Sequence, residues 1–99
     1  MYEIRLSRGV EGDLAGIPVH YRAMLLDEIE RQLSHTPDVE TRNRKMLVNL
    51  IPPFEAVPPI WELRVGAYRV FYDVDEKGRK VLVRAIRRKP PHLTTEEIL

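Results

Sequence analysis

Arg64 and Arg69 flank Gly66-Ala67 inside the stretch that runs from Trp61 to Val74. Alternating apolar and polar residues lead into and out of the Gly-Ala pair. Gly at the first of two central positions is the mark of a two-residue type II′ hairpin turn. That turn sets Val65 opposite Tyr68 and Arg64 opposite Arg69. Directly opposed residues of an antiparallel pair have Cβ atoms about 5 Å apart, and like charges there repel. Two arginines so placed either splay into water or bracket an anion, and a phosphate suits the planar fork of the guanidinium.

Other side chains bear on the same chemistry. Alternation puts Phe71 on the face of Arg69, where an exposed aromatic would stack a base or meet a partner. It also puts Glu62 there, two residues before Arg64, where a carboxylate would repel phosphate. The run Arg42-Asn43-Arg44-Lys45 is either solvated surface or a phosphate-contacting edge. After Asp75–Arg79 the last strand has two registers open to it. In one, Arg84 and Arg88 share the face of Arg69; in the other, Arg87 and Lys89 do. A slip of one residue exchanges the sets. His20, His35 and His92 lack metal-ligand spacing. There is no glycine-rich phosphate loop, no Ser/His/Asp pattern and no catalytic carboxylate pair, so neither metal nor cofactor is expected.

The elements that position these residues are readable from periodicity. Tyr2–Ser7 alternates as a half-buried strand. A short helical turn through Val10–Leu14 is expected. Pro18 suits a first helical position, and from there to about Ser34 Tyr21, Leu25, Leu26, Ile29 and Leu33 form an apolar stripe. Residues 35–59 read as connector, with an extended piece at Met46-Leu47-Val48 and four prolines among residues 52–59 that exclude a helix interior. The hairpin and Lys80–Ile86 then give a three-stranded antiparallel meander. Thr94 with Glu97 three on is a capping box for a short C-terminal helix. The expected fold is α+β, one small sheet with helices on one face and the other face open.

Composition sets outer bounds. With 99 residues the chain makes one domain, 1–99, with one modest core. No apolar run approaches a membrane span of about 20 residues, no signal peptide is visible at the start, and the absence of cysteine excludes disulfide and thiol chemistry and is compatible with the cytoplasm. The net charge of +1 hides a split: residues 1–40 carry four Arg against eight Asp and Glu, and residues 41–99 carry twelve Lys and Arg against seven acids. A basic half points to an anionic partner.

The order of elements, centred on Leu63-Arg64-Val65-Gly66-Ala67-Tyr68-Arg69-Val70-Phe71-Tyr72, resembles the RelE/ParE superfamily of toxins from bacterial type II toxin–antitoxin systems. Glu40–Lys45 with Leu47, and the closing Arg87-Arg88-Lys89, resemble the segments before and after the hairpin. The resemblance implies a RelE-like fold, a cognate antitoxin partner in a hetero-oligomer, and one of two activities. The first is metal-independent cleavage of messenger RNA at the ribosome, an endoribonuclease reaction in which the 2′-hydroxyl attacks the phosphate. The second is poisoning of DNA gyrase, or antitoxin binding by a degenerate relative. For cleavage it assigns Arg64, Arg69 and Lys89 to the phosphate; Arg42, Arg44, Lys45, Phe71 and Arg88 stand beside them as candidate RNA contacts from charge and strand face. Two departures stand out. Ile60 and Glu62 replace lysines of the endonucleases, and no tyrosine follows Tyr72, which leaves His92 as the candidate proton-exchanging residue.

Overall fold

The computed structural model covers residues 1–99. Its elements are β1 (Glu3–Leu6), α1 (Arg8–Ala15), α2 (Val19–Leu33), β2 (Arg44–Leu47), β3 (Ile60–Val65), β4 (Tyr68–Asp75), β5 (Lys80–Arg88) and α3 (Thr95–Ile98). The strands form one mixed sheet in the order β1-β5-β4-β3-β2. β3, β4 and β5 are the antiparallel meander that alternation predicts. β1 lies parallel to β5, a pairing that sequence alternation alone does not specify. Arg44–Leu47 is an edge strand antiparallel to β3, longer at its basic end than the expected piece at 46–48.

α1 and α2 cover one sheet face. Leu25, Ile29 and Leu33 of α2 and Val10 of α1 pack with Leu63, Val65, Val70, Tyr72, Val81 and Val83. Each such side chain contributes about 1.5–3 kcal/mol by leaving water. The stripe on α2 is narrower than its period suggests: Tyr21 and Leu26 stay 42% and 37% exposed. Leu26 follows Leu25 by one residue, about 100° round the helix from the row that meets the sheet. α1 holds Gly9 and Gly12, poor helix formers, yet runs the full Arg8–Ala15. Tertiary contacts hold it: Asp13 accepts the N–H of Ile86 at 3.0 Å and pairs with Arg87 at 2.9 Å. No helix is long and apolar enough to cross a membrane.

The second sheet face is not open. Phe71, Ala85 and Ile98 form a small core there with Leu47, Phe54, Leu93 and Leu99. α3 and the proline-rich segment therefore cover part of the face on which helices were not expected. A β-bulge shapes the same side. The β4–β5 register shifts between Phe71 and Tyr72, which pair with Ala85 and Val83, so Arg84 is the extra residue. Its guanidinium reaches Asp73, Nε to Oδ2 at 2.7 Å, and Asp73 also accepts the N–H of Val57 at 3.0 Å. The pair thus fastens the proline-rich segment to the sheet.

The capping box foreseen at Thr94 holds α3 in place: Glu97 N–H donates to Thr94 Oγ1, and Thr94 N–H donates to Glu97 Oε1 at 2.9 Å. These bonds to the Thr94 backbone and side chain hold the Glu97 carboxyl below its ordinary value of 4.5. A carboxyl lowered in the folded state stabilises it above the unfolded value and loses that contribution as pH falls. Acidification from about pH 5 to about pH 3 is therefore expected to fray α3. The protection factors of the Glu97 and Ile98 amides, with the slower intrinsic exchange at low pH divided out, should fall while the strand amides stay protected.

Candidate functional site

The hairpin has the geometry its sequence implies. Gly66 has φ +57° and Ala67 is not in the left-handed region, the pattern of a turn that needs Gly only at its first central position. Arg64 lies opposite Arg69, and Val65 opposite Tyr68. The register left open for β5 is settled at this end by Arg69↔Arg87. Arg87 and Lys89 therefore share the side of Arg69. The bulge additionally turns Arg84 to that side, although it is committed to Asp73.

Beside the hairpin, on the second face, lies a cleft of about 290 Å³ with no hydrophobic residue in its lining. Thr41, Arg42, Asn43, Arg44 and Lys45 come from β2 and the turn before it. Glu62 and Arg64 come from β3, Arg69 from β4, Lys89 from just past β5 and Thr95 from α3. Small-molecule sites span roughly 300–1,000 Å³, so this one has room for little more than a phosphate with part of its sugar. The backbone N–H of Lys89 donates to Ala67 O at 2.7 Å, which roots that side chain next to the turn.

Electrostatics within the cleft are one-sided. Arg42, Arg64, Arg69 and Lys89 pair with no carboxylate, and Lys45 Nζ lies 3.6 Å from Glu62 Oε1. Arg69 Nη1 donates to Gly66 O and Tyr68 O, each at 3.0 Å. Its pKa is lowered from the ordinary arginine value, mainly by burial, with Glu62 opposing the shift and Arg64 adding to it. Arginine remains charged at neutral pH, so the site holds a partly desolvated cation that an anion would relieve.

Glu62 differs from its expected role. Its side chain is 5% exposed, and both oxygens are engaged: Oε1 with Lys45, and Oε2 as acceptor from Thr95 Oγ1 at 2.7 Å. Its repulsion of phosphate is offset by five cations around the same cleft, Arg42, Lys45, Arg64, Arg69 and Lys89, besides Arg44, whose guanidinium is spent on the end of α2. Thr41 and Thr95 were not foreseen as lining residues. For Thr95 the capping box located the helix, but nothing in the sequence says that the helix docks beside β3.

Three anticipated residues lie outside the cleft, and a fourth, Arg44, lines it with its guanidinium committed elsewhere. Arg44 is buried, and its Nη1 donates to the carbonyl oxygens of Gln32, at 2.8 Å, and Thr36. It is spent on the end of α2, on the other side of the sheet from Lys45, because neighbours on a strand alternate. Arg44→Ala is expected to cost about 1.5–3 kcal/mol, the worth of hydrogen bonds to a charged group, seen as a lower urea midpoint. Phe71 is fully buried beneath α3 and Phe54 and has no surface on which to stack a base. Arg88 lies opposite Tyr68 and lines a separate cavity with Tyr21 and Met24 on the α2 side. His92 is exposed in the turn before α3 and does not line the cleft.

A family model described as the ParE toxin of the type II toxin–antitoxin system parDE matches residues 4–89. Among solved structures, the chain is similar to one in the RelBE2 toxin–antitoxin complex from Mycobacterium tuberculosis, with TM-score 0.71 and 22% identity over 89% of this chain and 98% of the other. It is similar to one in the archaeal RelE–RelB complex from Pyrococcus horikoshii, with TM-score 0.67 and 19% identity over 91% and 97%. The isolated RelE toxin of E. coli gives TM-score 0.68 and 15% identity over 98% and 94%. At these identities the likeness shows the fold alone. No curated protein sequence gives a significant match.

Proposed function

The chain belongs to the ParE toxin family of type II toxin–antitoxin systems, and on that premise we propose that it arrests growth by metal-independent cleavage of messenger RNA at the ribosome. The observation that carries this reading is the cleft: five cations besides the committed Arg44, one carboxylate and no apolar lining beside a hairpin of paired arginines. Arg64 and Arg69 would clamp a phosphate between them, and Arg42, Lys45 and Lys89 would hold its neighbours along the strand. Positive charge so placed stabilises the extra negative charge of a five-coordinate phosphorus in the transition state. The ribose 2′-hydroxyl next to the phosphate serves as nucleophile. A cognate antitoxin with acidic residues would cover the same cations and silence them. The site of action is the cytoplasm, where ribosomes are.

A second reading is a non-cleaving toxin that poisons DNA gyrase, or a relative that only binds its antitoxin. The absence of His and Tyr from the cleft favours it. Induced expression followed by primer extension separates the two. The cleavage reading expects growth arrest with new messenger 5′ ends at ribosome-covered positions. Intact transcripts together with gyrase-dependent DNA breaks would establish the alternative.

A further inference from the structure

We infer that Glu62 is the general base of the cleft and takes the proton from the attacking 2′-hydroxyl, an inference that rests on the RNA-cleavage reading. Of the side chains lining the cleft, Glu62 alone brings a carboxylate, the one group there with the chemistry of a base. The others are guanidinium and ammonium groups, which only donate, and the neutral Thr41, Asn43 and Thr95.

The placement of the carboxylate suits that work. Oε2 is fixed by the hydroxyl of Thr95 at 2.7 Å, which orients the group. Oε1 accepts no hydrogen bond; its neighbour is Lys45 Nζ at 3.6 Å, on a side chain 60% exposed and able to swing toward a bound phosphate. One oxygen is therefore anchored and the other keeps a free lone pair on the side of Lys45. Glu62 and Arg64 are two apart on one strand face, about 6.6 Å along it, with Arg69 across from Arg64. A phosphate gripped by the two guanidiniums leaves space toward Glu62 for the adjoining 2′-hydroxyl.

The charges also move in the favourable sense. In the ground state a buried carboxylate opposes phosphate binding. As the 2′-oxygen closes on phosphorus, Glu62 becomes neutral while negative charge grows on the phosphoryl oxygens. The five cations then act on the phosphoryl group undiluted, so their hold is stronger in the transition state than before it. The step balances. The 2′-O–H proton passes to Glu62 Oε1, the 2′-O–P bond forms and the P–O5′ bond breaks. Lys89 Nζ donates a proton to the departing 5′-oxygen. The products are a 2′,3′-cyclic phosphate and a 5′-hydroxyl, and solvent returns the proton from Glu62 to Lys89.

Glu62→Gln tests the assignment, because the amide oxygen still accepts from Thr95 while proton acceptance is lost. On ribosomes programmed with a short messenger, cleavage is expected to fall about 100-fold or more. The thermal midpoint should not move, and affinity for a 2′-O-methyl messenger, which cannot be cut, should be unchanged or tighter. Glu62→Asp should retain part of the activity. A messenger with sulfur in place of the 5′-bridging oxygen has a leaving group that needs no proton; it should rescue Lys89→Ala and not Glu62→Gln. Full cleavage by folded Glu62→Gln would overturn the role of Glu62 and leave the RNA reading standing. Rescue of Glu62→Gln by the sulfur substrate would make Glu62 an acid and overturn the assignment. Intact RNA with the wild-type protein on ribosomes overturns both.

Discussion

An Arg69→Ala variant is expected to lose growth arrest, with cleavage reduced roughly 10²–10³-fold, the loss seen when one preorganised donor to a developing oxyanion is removed. The reason lies in how this arginine is held. Two carbonyl oxygens of its own hairpin, those of Gly66 and Tyr68, fix one guanidinium nitrogen. Its partial burial has already removed some of its hydration, which is what lowers its pKa. A pre-positioned, partly dry cation loses little further freedom or water when a phosphate arrives. Arg64 is exposed by comparison, so Arg64→Ala should cost less. The fold should tolerate Arg69→Ala, because this arginine joins no ion pair and its hydrogen bonds stay within the turn. The check is growth after induction, paired with a thermal melt. Wild-type toxicity in a soluble Arg69→Ala protein would take the hairpin out of the mechanism. Arg69→Lys separates charge from geometry: a lysine restores the cation without the two-pronged grip, so partial activity is expected.

What the sequence made legible follows from the range of the interactions involved. The hairpin was readable because every determinant is local: the Gly-Ala turn, the alternation on either side and the pairing it forces. The capping box at Thr94 and the row Leu25, Ile29, Leu33 were readable for the same reason. The register of β5 was not, because a bulge at Arg84 intervenes, and a bulge is set by what the extra side chain meets across the sheet. Here that is Asp73, whose other hydrogen bond goes to Val57 in the proline-rich segment. Arg44 and Lys45 are adjacent and looked equivalent in a basic run. Strand alternation sends one to the end of α2 and the other to the cleft, and only the knowledge that Arg44–Leu47 is a strand separates them.

Glu62 shows a subtler limit. Alternation places it on the face of Arg64 and Arg69, as the structure shows, and its charge alone reads as opposed to phosphate. What could not be read was the company it keeps. Lys45 meets it from a neighbouring strand and Thr95 from a helix 33 residues later. In water a lone carboxylate among phosphates is only repulsive. Buried, oriented and surrounded by five cations, it is a proton acceptor whose charge disappears when the transition state needs it gone. The residue that weakened the case for cleavage on sequence grounds becomes, in the folded protein, the group that supplies the missing proton acceptor.

Phe71→Ala is expected to destabilise the fold by about 3–5 kcal/mol, the cost of emptying a fully buried aromatic site. Whole domains are stable by only about 5–15 kcal/mol, so a large part of the folded population is at stake. Phe71 faced outward in the sequence pattern, on the sheet side opposite the main core, and the structure makes it the centre of a second core. Ile98 of α3 packs against it, and its ring lies 6.1 Å from that of Phe54. Removing the ring should release α3 and the proline-rich segment together, because one side chain serves both. Thr95 would then leave Glu62, so the fastening of the cleft floor depends on packing on its far side. Two readouts distinguish this from a base-stacking role. The urea midpoint should fall steeply in Phe71→Ala and largely recover in Phe71→Leu, which refills most of the volume without an aromatic face. Stacking predicts the reverse: an unchanged midpoint in both variants and equally weakened RNA binding, since neither alanine nor leucine offers a ring.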